Sequence, residues 1–507
     1  MDSPRQTSTA VIRLHWWAER QAPIAARSAI SALVALVAAV IGGMFAMGAI
    51  WLLAHQFPAA TAPTPPTWIW YLPFVILLAA IAWLPWKWPT LWGWIGFPIS
   101  GGLALPVVLA YGWRLHTLVP IAESLSAYLQ FMAVISASYI ICTNMRLTIT
   151  CAPIPRNNLI MLFSAAVVAN IIGTCGATVL FIGPFIALNR SRLTPRHIFF
   201  FVAIVANIGG LLTPLGDPPL MAGYLYGVPF NWMLIHAWPM WCVAMLWLLT
   251  IFYFLQRRSD RLTVATQSEA SSRSSAIIIE NMWLLAPLAV GICALFLPSV
   301  YRVGLLATVA IGVAMACRTR GGTAPTRGAG ARPTPPQNFG YRPLREMASL
   351  FLGIFITMTP VLAMIGHLPE STRRWISSPP AYFAAVGAAS SVLDNTPTYI
   401  AGLQAKISST HTAHTSSKPL AMPSQRVITA AADPKSAAYL LAIAMGAVMF
   451  GAMTWIGNGP NLLIEMISRQ QGIRCPSFGT YIWRYSIPLL LPLFAIIALW
   501  LWMLGTH

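Results

Sequence analysis

Apolar residues run through this chain in long blocks, and residues 28–53 give 26 consecutive positions without a charge. A bilayer core of about 30 Å needs about 20 apolar residues per helix, so such a block predicts a membrane span. Blocks of this kind begin near Ser28, Trp68, Leu91, Leu125, Phe199, Trp232, Met282, Val303, Met347, Ala437 and Tyr481, which predicts eleven crossings. The first block is too long for a secretory signal core and is read as a retained span.

Two further apolar segments resist that label. Residues 159–188 are interrupted by IIGTCGAT, and residues 381–404 by LDNTPT. The arm 381–393 covers only about 20 Å at a rise of about 1.5 Å per residue, too short to cross. Each segment predicts a helical hairpin that enters and leaves on one side. Polar stretches separate the blocks: a basic tail 1–27, residues 257–273, a Gly/Pro/Arg-rich stretch 318–345 and a polar loop 405–436. The expected organisation is one transmembrane domain over 28–504, with halves at about 28–256 and 280–504.

Composition supports an all-α polytopic membrane protein, since 57% of residues are hydrophobic, 8% are charged and the mean hydropathy is +0.68. The net charge of +19 comes from Lys and Arg in short segments beside spans. That pattern follows the positive-inside rule and argues against a nucleic-acid partner. With a cytoplasmic N-terminus and both hairpins re-entrant, most basic segments collect inside, 318–345 becomes a cytoplasmic linker, and the hairpins open from opposite sides. One loop misfits, because 405–436 falls outside yet carries Lys406, Lys418, Arg426 and Lys435. The seven cysteines (142, 151, 175, 242, 293, 317 and 475) show no CxxC or CxxH spacing and are read as small core residues. No GxxxxGK[ST] loop is present.

An internal repeat ties the halves together. TPLGDPP from Thr213 and TWIGNGP from Thr454 match at one offset of 241 residues, pairing Thr213 with Thr454, Gly216 with Gly457, Asp217 with Asn458 and Pro219 with Pro460. Gly210 and Gly451 fit the same offset. Each motif interrupts an apolar segment and follows a hairpin. Paired discontinuous segments in corresponding positions of two halves point to a transporter's midplane binding site.

The breaks have the grammar of helix starts, a capping side chain followed by proline. Asp217-Pro218, Asn395-Thr396-Pro397 and Asn458-Gly459-Pro460 each predict a half-helix restarting within the membrane. Such a break leaves free N–H groups on one side and free C=O groups on the other. Of twelve acidic residues only Asp217, Asp394 and Glu465 fall inside apolar segments. A carboxylate at the bilayer centre costs about 3 kcal/mol or more, which marks both aspartates as functional candidates. With hydroxyls, amides and carbonyls around them and no Lys or Arg in the motifs, they suit a hard cation or a proton. The competing reading makes both aspartates simple helix caps. Glu123, Glu465, His236 and His367 read as interfacial or partnered groups, and Trp68, Trp70, Trp86 and Trp88 as aromatic-belt anchors.

ANIGGLLTPLGDPPL, SSVLDNTPTY and WIGNGPNLL resemble the signatures of the ion transporter superfamily, which includes citrate and dicarboxylate carriers, arsenite permeases and bacterial sodium/proton antiporters. The likeness is nearest to the sodium/proton antiporter or citrate-transporter-like branch. It implies an inverted-repeat fold with a scaffold and a mobile transport unit, commonly a homodimer, and no cofactor beyond the transported ions. It also implies an ion site at the hairpin tips and broken helices: Thr174, Gly176 and Thr178; Thr213 and Asp217; Asp394, Asn395, Thr396 and Thr398; Thr454, Asn458 and Asn461. Gly173, Gly176, Gly216, Pro218, Pro219, Pro397, Gly457 and Pro460 are expected to shape the breaks. Dicarboxylate carriers have Ser-Asn-Thr at both tips. Here the second tip is Asp394-Asn395-Thr396 and the first is Gly173-Thr174-Cys175-Gly176.

The expected protein is a secondary transporter of a bacterial cytoplasmic membrane exchanging Na⁺ or Li⁺ for H⁺, with Asp394 and Asp217 as carboxylates for which cation and proton compete. The alternative is Na⁺- or H⁺-coupled uptake of an organic anion such as citrate. A channel shares the pore chemistry. An intramembrane aspartyl protease is the remote alternative, but PLGD at 214–217 lacks the first glycine of GxGD, and LD stands where YD is expected.

Overall fold

The computed structural model describes residues 68–87, 89–151, 154–190, 192–263, 276–297, 304–306, 309–313, 342–366, 376–410 and 423–506. The first expected span, the basic tail and most of the linker 318–345 lie outside them. Eight helices among the described residues are long and apolar enough to cross a membrane, and Ile69–Ile81 and Leu285–Ala294 are shorter apolar helices.

The first half opens with α1 (Leu72–Lys87), α2 (Pro89–Leu109) and α3 (Val119–Asn144). A short strand β1 (Arg146–Thr150) leads into α4 (Pro155–Asn189), followed by α5 (Pro195–Ile204), a break, α6 (Pro218–Leu225) and α7 (Trp232–Thr263). Strand β2 (Ala276–Glu280) and α8 (Leu285–Ala294) begin the second half. There α9 (Arg342–Gly366) precedes α10 (Pro379–Ser390) and α11 (Asn395–Thr410). Next come α12 (Pro423–Ala432), α13 (Pro434–Phe450), a second break, α14 (Gly459–Gln470) and a closing helix, α15 (Ile487–Thr506).

The order of α3, hairpin, broken helix and α7 therefore recurs as α9, hairpin, broken helix and α15. The leading helices α3 and α9 pack together: Ser124 and Thr359 share a hydrogen bond of 2.8 Å, Tyr128 donates to Ala348 O at 2.9 Å, and Phe131 packs edge-on against Phe351. α9 also packs on α1 and α2, whereas α10, α13 and α15 form a separate packed group.

Helix α4 is the first hairpin. Its backbone leaves helical geometry at Gly173 (φ 81°, ψ 155°), a conformation that favours a residue without Cβ. Asn158 and Asn189 then exchange amide hydrogen bonds of 2.7 and 2.9 Å. In a straight helix these residues would stand about 46 Å apart. The strands agree independently. β1 precedes the hairpin, β2 follows α7, and the two pair antiparallel from Arg146 with Glu280 to Thr150 with Ala276. Their meeting at one membrane face requires an even number of crossings between them, which the broken helix and α7 supply once the hairpin contributes none.

Three expectations are corrected. Gly176 is no break: it lies within the second arm, where an added Cβ would come 2.8 Å from Cys142 Sγ of α3, so it permits close packing. Pro397 does not open its helix, because Asp394 Oδ1 accepts Thr396 N–H at 3.1 Å and proline falls at the third position of α11. The segment 405–436 is not one loop, since α11 runs to Thr410 and α12 covers Pro423–Ala432. Lys406 Nζ sits 3.9 Å from the centre of the Tyr439 ring, a partner that accounts for one of the misplaced charges.

With native cysteines replaced, Asn158→Cys with Asn189→Cys should cross-link within one chain on treatment with a short bifunctional thiol reagent. Absence of that cross-link in folded protein would rule out the hairpin.

A buried carboxylate where two hairpins and two broken helices meet

Each break is held to its own hairpin in the same way. Thr213 Oγ1 donates to Asn170 O in the first arm of α4, and Thr454 Oγ1 donates to Ser391 O at the end of α10, both at 2.5 Å. These hydroxyls satisfy carbonyls that a helix C-terminus leaves free. The glycines repeat too. A Cβ on Gly210 would collide with the carbonyl of Gly216, one on Gly457 would come 2.7 Å from Gly451 O, and the converse substitutions clash likewise or press against the facing carbonyl. Both breaks therefore fold back on themselves at contacts that only glycine allows. The first hairpin tip docks on its break through Thr174 N–H, which donates to Gly216 O at 2.8 Å.

The break puts Asp217 before α6 as its cap residue, with Pro218 and Pro219 opening the helix, but the carboxylate makes no cap bond. It turns to the hairpins instead. Oδ1 accepts Thr174 Oγ1 at 2.8 Å and Asn458 Nδ2 at 3.3 Å, and Oδ2 accepts Asn395 Nδ2 at 2.7 Å. Asp217 is wholly buried, as are Thr174 and Asn395. Bonds to a charged acceptor contribute about 1.5–3 kcal/mol each, which offsets part of the cost of enclosing the carboxylate. Asn458 behaves similarly. It precedes α14, with Pro460 near the helix start, and spends no side-chain bond on capping.

The other expected residues divide by role. Asn461 lies one step out, donating to Gly451 O and Thr454 O at 2.8 and 3.0 Å. Thr398 bonds back within its own helix, donating to Asn395 O at 2.9 Å, while buried Thr396 lies beside the tip. Asp394 is half-buried and caps α11. Asn395 Oδ1 and Thr178 Oγ1 are buried without a hydrogen-bond partner. An acceptor oxygen left open one residue-length from a carboxylate can ligate a hard cation. A cavity of about 30 Å³ opens at Asp217, lined also by Ser138 of α3, Gly173, Cys175 and Met221, with no Lys or Arg in its wall. That volume has room for a water or two or a dehydrated monovalent ion, and is too small in this conformation for a tricarboxylate. Among the described residues no three His, Cys, Asp or Glu side chains cluster as a metal centre.

Sequence reasoning missed Asn170 and Asn207. Asn170 Oδ1 accepts Leu212 N–H at 2.9 Å and its amide donates to Gly209 O at 2.7 Å, fixing the break on the hairpin. Asn207 bridges the two breaks by donating to Asn461 Oδ1 at 2.8 Å. The signal was present: both close an Ala-Asn pair followed by isoleucine inside an apolar run.

Residues 64–503 match a protein family described as "putative citrate transport". No curated protein matches the chain.

Asp217→Asn should weaken half-saturation by the transported ion roughly tenfold or more, whereas Asp394→Asn should change it less than about threefold, because asparagine caps a helix as well as aspartate does. Ion-dependent thermal stabilisation in detergent measures both. Equal losses would make Asp394 a direct ligand.

Proposed function

On the premise that the chain belongs to this family of membrane transporters, we propose that it is a secondary active carrier exchanging Na⁺ or Li⁺ for H⁺, with Asp217 as the carboxylate for which the two ions compete. The observation that carries this reading is a wholly buried carboxylate held, among the described residues, by Thr174, Asn395 and Asn458, beside a cavity of ion size with no basic side chain in its wall. An enclosed carboxylate is costly while ionised and uncompensated, and either a proton or a metal cation removes that cost. The two loaded forms are then alike in charge, and the empty form is the one penalised in any movement through the membrane. Burial favours the protonated state and a neighbouring cation the ionised one, so binding of either expels the other. In this scheme Thr174 and Asn395 report occupancy to the two hairpin tips, since each bonds one carboxylate oxygen. The membrane is proposed to be the cytoplasmic membrane of a bacterium.

Cation-coupled transport of citrate is the second reading, favoured by the family description and by one geometric fact. Helices α6, α11 and α14 and the second arm of α4 all begin at residues of this site, and four positively poled helix ends attract an anion. In that case Asp217 holds the coupling ion, and a wider conformation than the present one admits the carboxylates.

Inverted vesicles from an antiporter-deficient bacterial host, energised to an acid interior and loaded with a pH-sensitive dye, separate the readings. Na⁺ or Li⁺ is expected to dissipate the gradient with the wild type and not with Asp217→Asn, while K⁺ and citrate leave it intact. If no cation acts at any pH and right-side-out vesicles take up citrate, the exchange reading is wrong and the second stands. If neither occurs, both fall.

A further inference from the structure

We propose that Asn207 is a positioning residue that sets Asn458 against Asp217 and ties the two broken helices into one unit. Asn207 lies just after α5, is wholly buried, and uses every polar atom of its side chain. Its Nδ2 donates to Val202 O at 2.9 Å, near the end of α5, and to Asn461 Oδ1 at 2.8 Å, in the other half of the chain. Its Oδ1 accepts Asn458 Nδ2 at 3.2 Å. Asn461 passes the connection on to Gly451 O and Thr454 O, the backbone of the second break. One amide therefore joins the end of α5 to both the start and the preceding turn of α14.

The contact with Asn458 is the one that reaches the carboxylate. Asn458 Nδ2 carries two hydrogens and faces three acceptors: Ala206 O at 3.0 Å, Asn207 Oδ1 at 3.2 Å and Asp217 Oδ1 at 3.3 Å. Ala206 O and Asn207 Oδ1 come from adjacent residues, so they can share one hydrogen of the amide and leave the other directed toward Asp217. Without Asn207, Asn458 keeps a single anchor and can rotate away, and Asn461 loses its donor. Space is tight as well, because a Cβ on Gly451 would come 2.7 Å from Asn207 Oδ1. Asn207 does not line the cavity, and its contact with the group that bonds Asp217 is the one to Asn458, so it reaches the carboxylate through Asn458.

The inference rests on Asp217 being the centre of the site and not on which ion binds there, so its test has a readout that needs no transport. Dicyclohexylcarbodiimide reacts with carboxyls in apolar surroundings, and modification of Asp217 is followed by peptide mass spectrometry at fixed pH. Asn207→Ala and Asn458→Ala should each change the labelling rate by roughly threefold or more, and the double variant should match Asn458→Ala rather than combine both effects. Asn158→Ala, which loosens the distant hairpin base, should label as the wild type does. Where the wild type moves an ion, Asn207→Ala should raise its half-saturation roughly tenfold with maximal rate within about twofold. If Asn207→Ala does not accumulate, Asn207→Ser carries the same cycle. Labelling of Asn207→Ala at the wild-type rate, multiplicative effects in the double variant, or an equal effect of Asn158→Ala would each overturn the proposal. Loss of ion exchange in the wild type would overturn the exchange reading and leave this cycle to be decided by labelling.

Discussion

A helix broken inside a bilayer has to find partners for its freed backbone groups, and nearly everything at the centre of this protein answers that demand. Water is scarce there, so each stranded carbonyl and amide is an expense of several kcal/mol unless protein meets it. The solution is reciprocal: a threonine in each break meets a carbonyl of the neighbouring hairpin, and a tip amide meets a carbonyl of the break. Glycine pairs let each break turn tightly enough for those groups to face one another. Once the backbone is satisfied this way, the cap residues Asp217 and Asn458 are released from capping, and their side chains become available for chemistry.

Much of this was legible in the chain because the breaks need unusual residues. Gly173, Gly216 and Gly457, and the prolines after Asp217 and Asn458, stand out against apolar surroundings, and the offset of 241 residues exposed the duplication without any structure. Less legible was the division of labour between the two intramembrane aspartates. In sequence both precede a half-helix, and Asp394 stands where the dicarboxylate carriers it resembles have a serine. In space one caps its helix and the other collects three donors from three elements, a difference that arises only from long-range contacts. Asn170 and Asn207 escaped notice for a related reason: neither sits at a proline or a tip. Their importance lies in partners tens to hundreds of residues away.

The helical count hid a small feature of some use. Five residues on either side of the first hairpin and its following helices pair as a two-stranded ribbon, and only the first of the two runs alternates polar and apolar positions. RLTIT and AIIIE are β-branched-rich but short, and such runs gain definition only when a partner strand is delivered by the helices between them. The ribbon is therefore a product of the hairpin's topology and, in turn, a witness to it.

Asp217 and Asn458 occupy matching positions in the two repeats, yet they touch each other. A residue beside a twofold axis always meets its own copy, so two identical subunits could offer there either a pair of acids or a pair of amides. Two acids there repel unless they share a proton, and two amides carry no formal charge. Two repeats within one chain can differ in sequence, so one acid can be set against one amide. The mismatch at this one matched pair is thus what two halves in one chain make possible: a single carboxyl with its own amide donor where the two repeats meet.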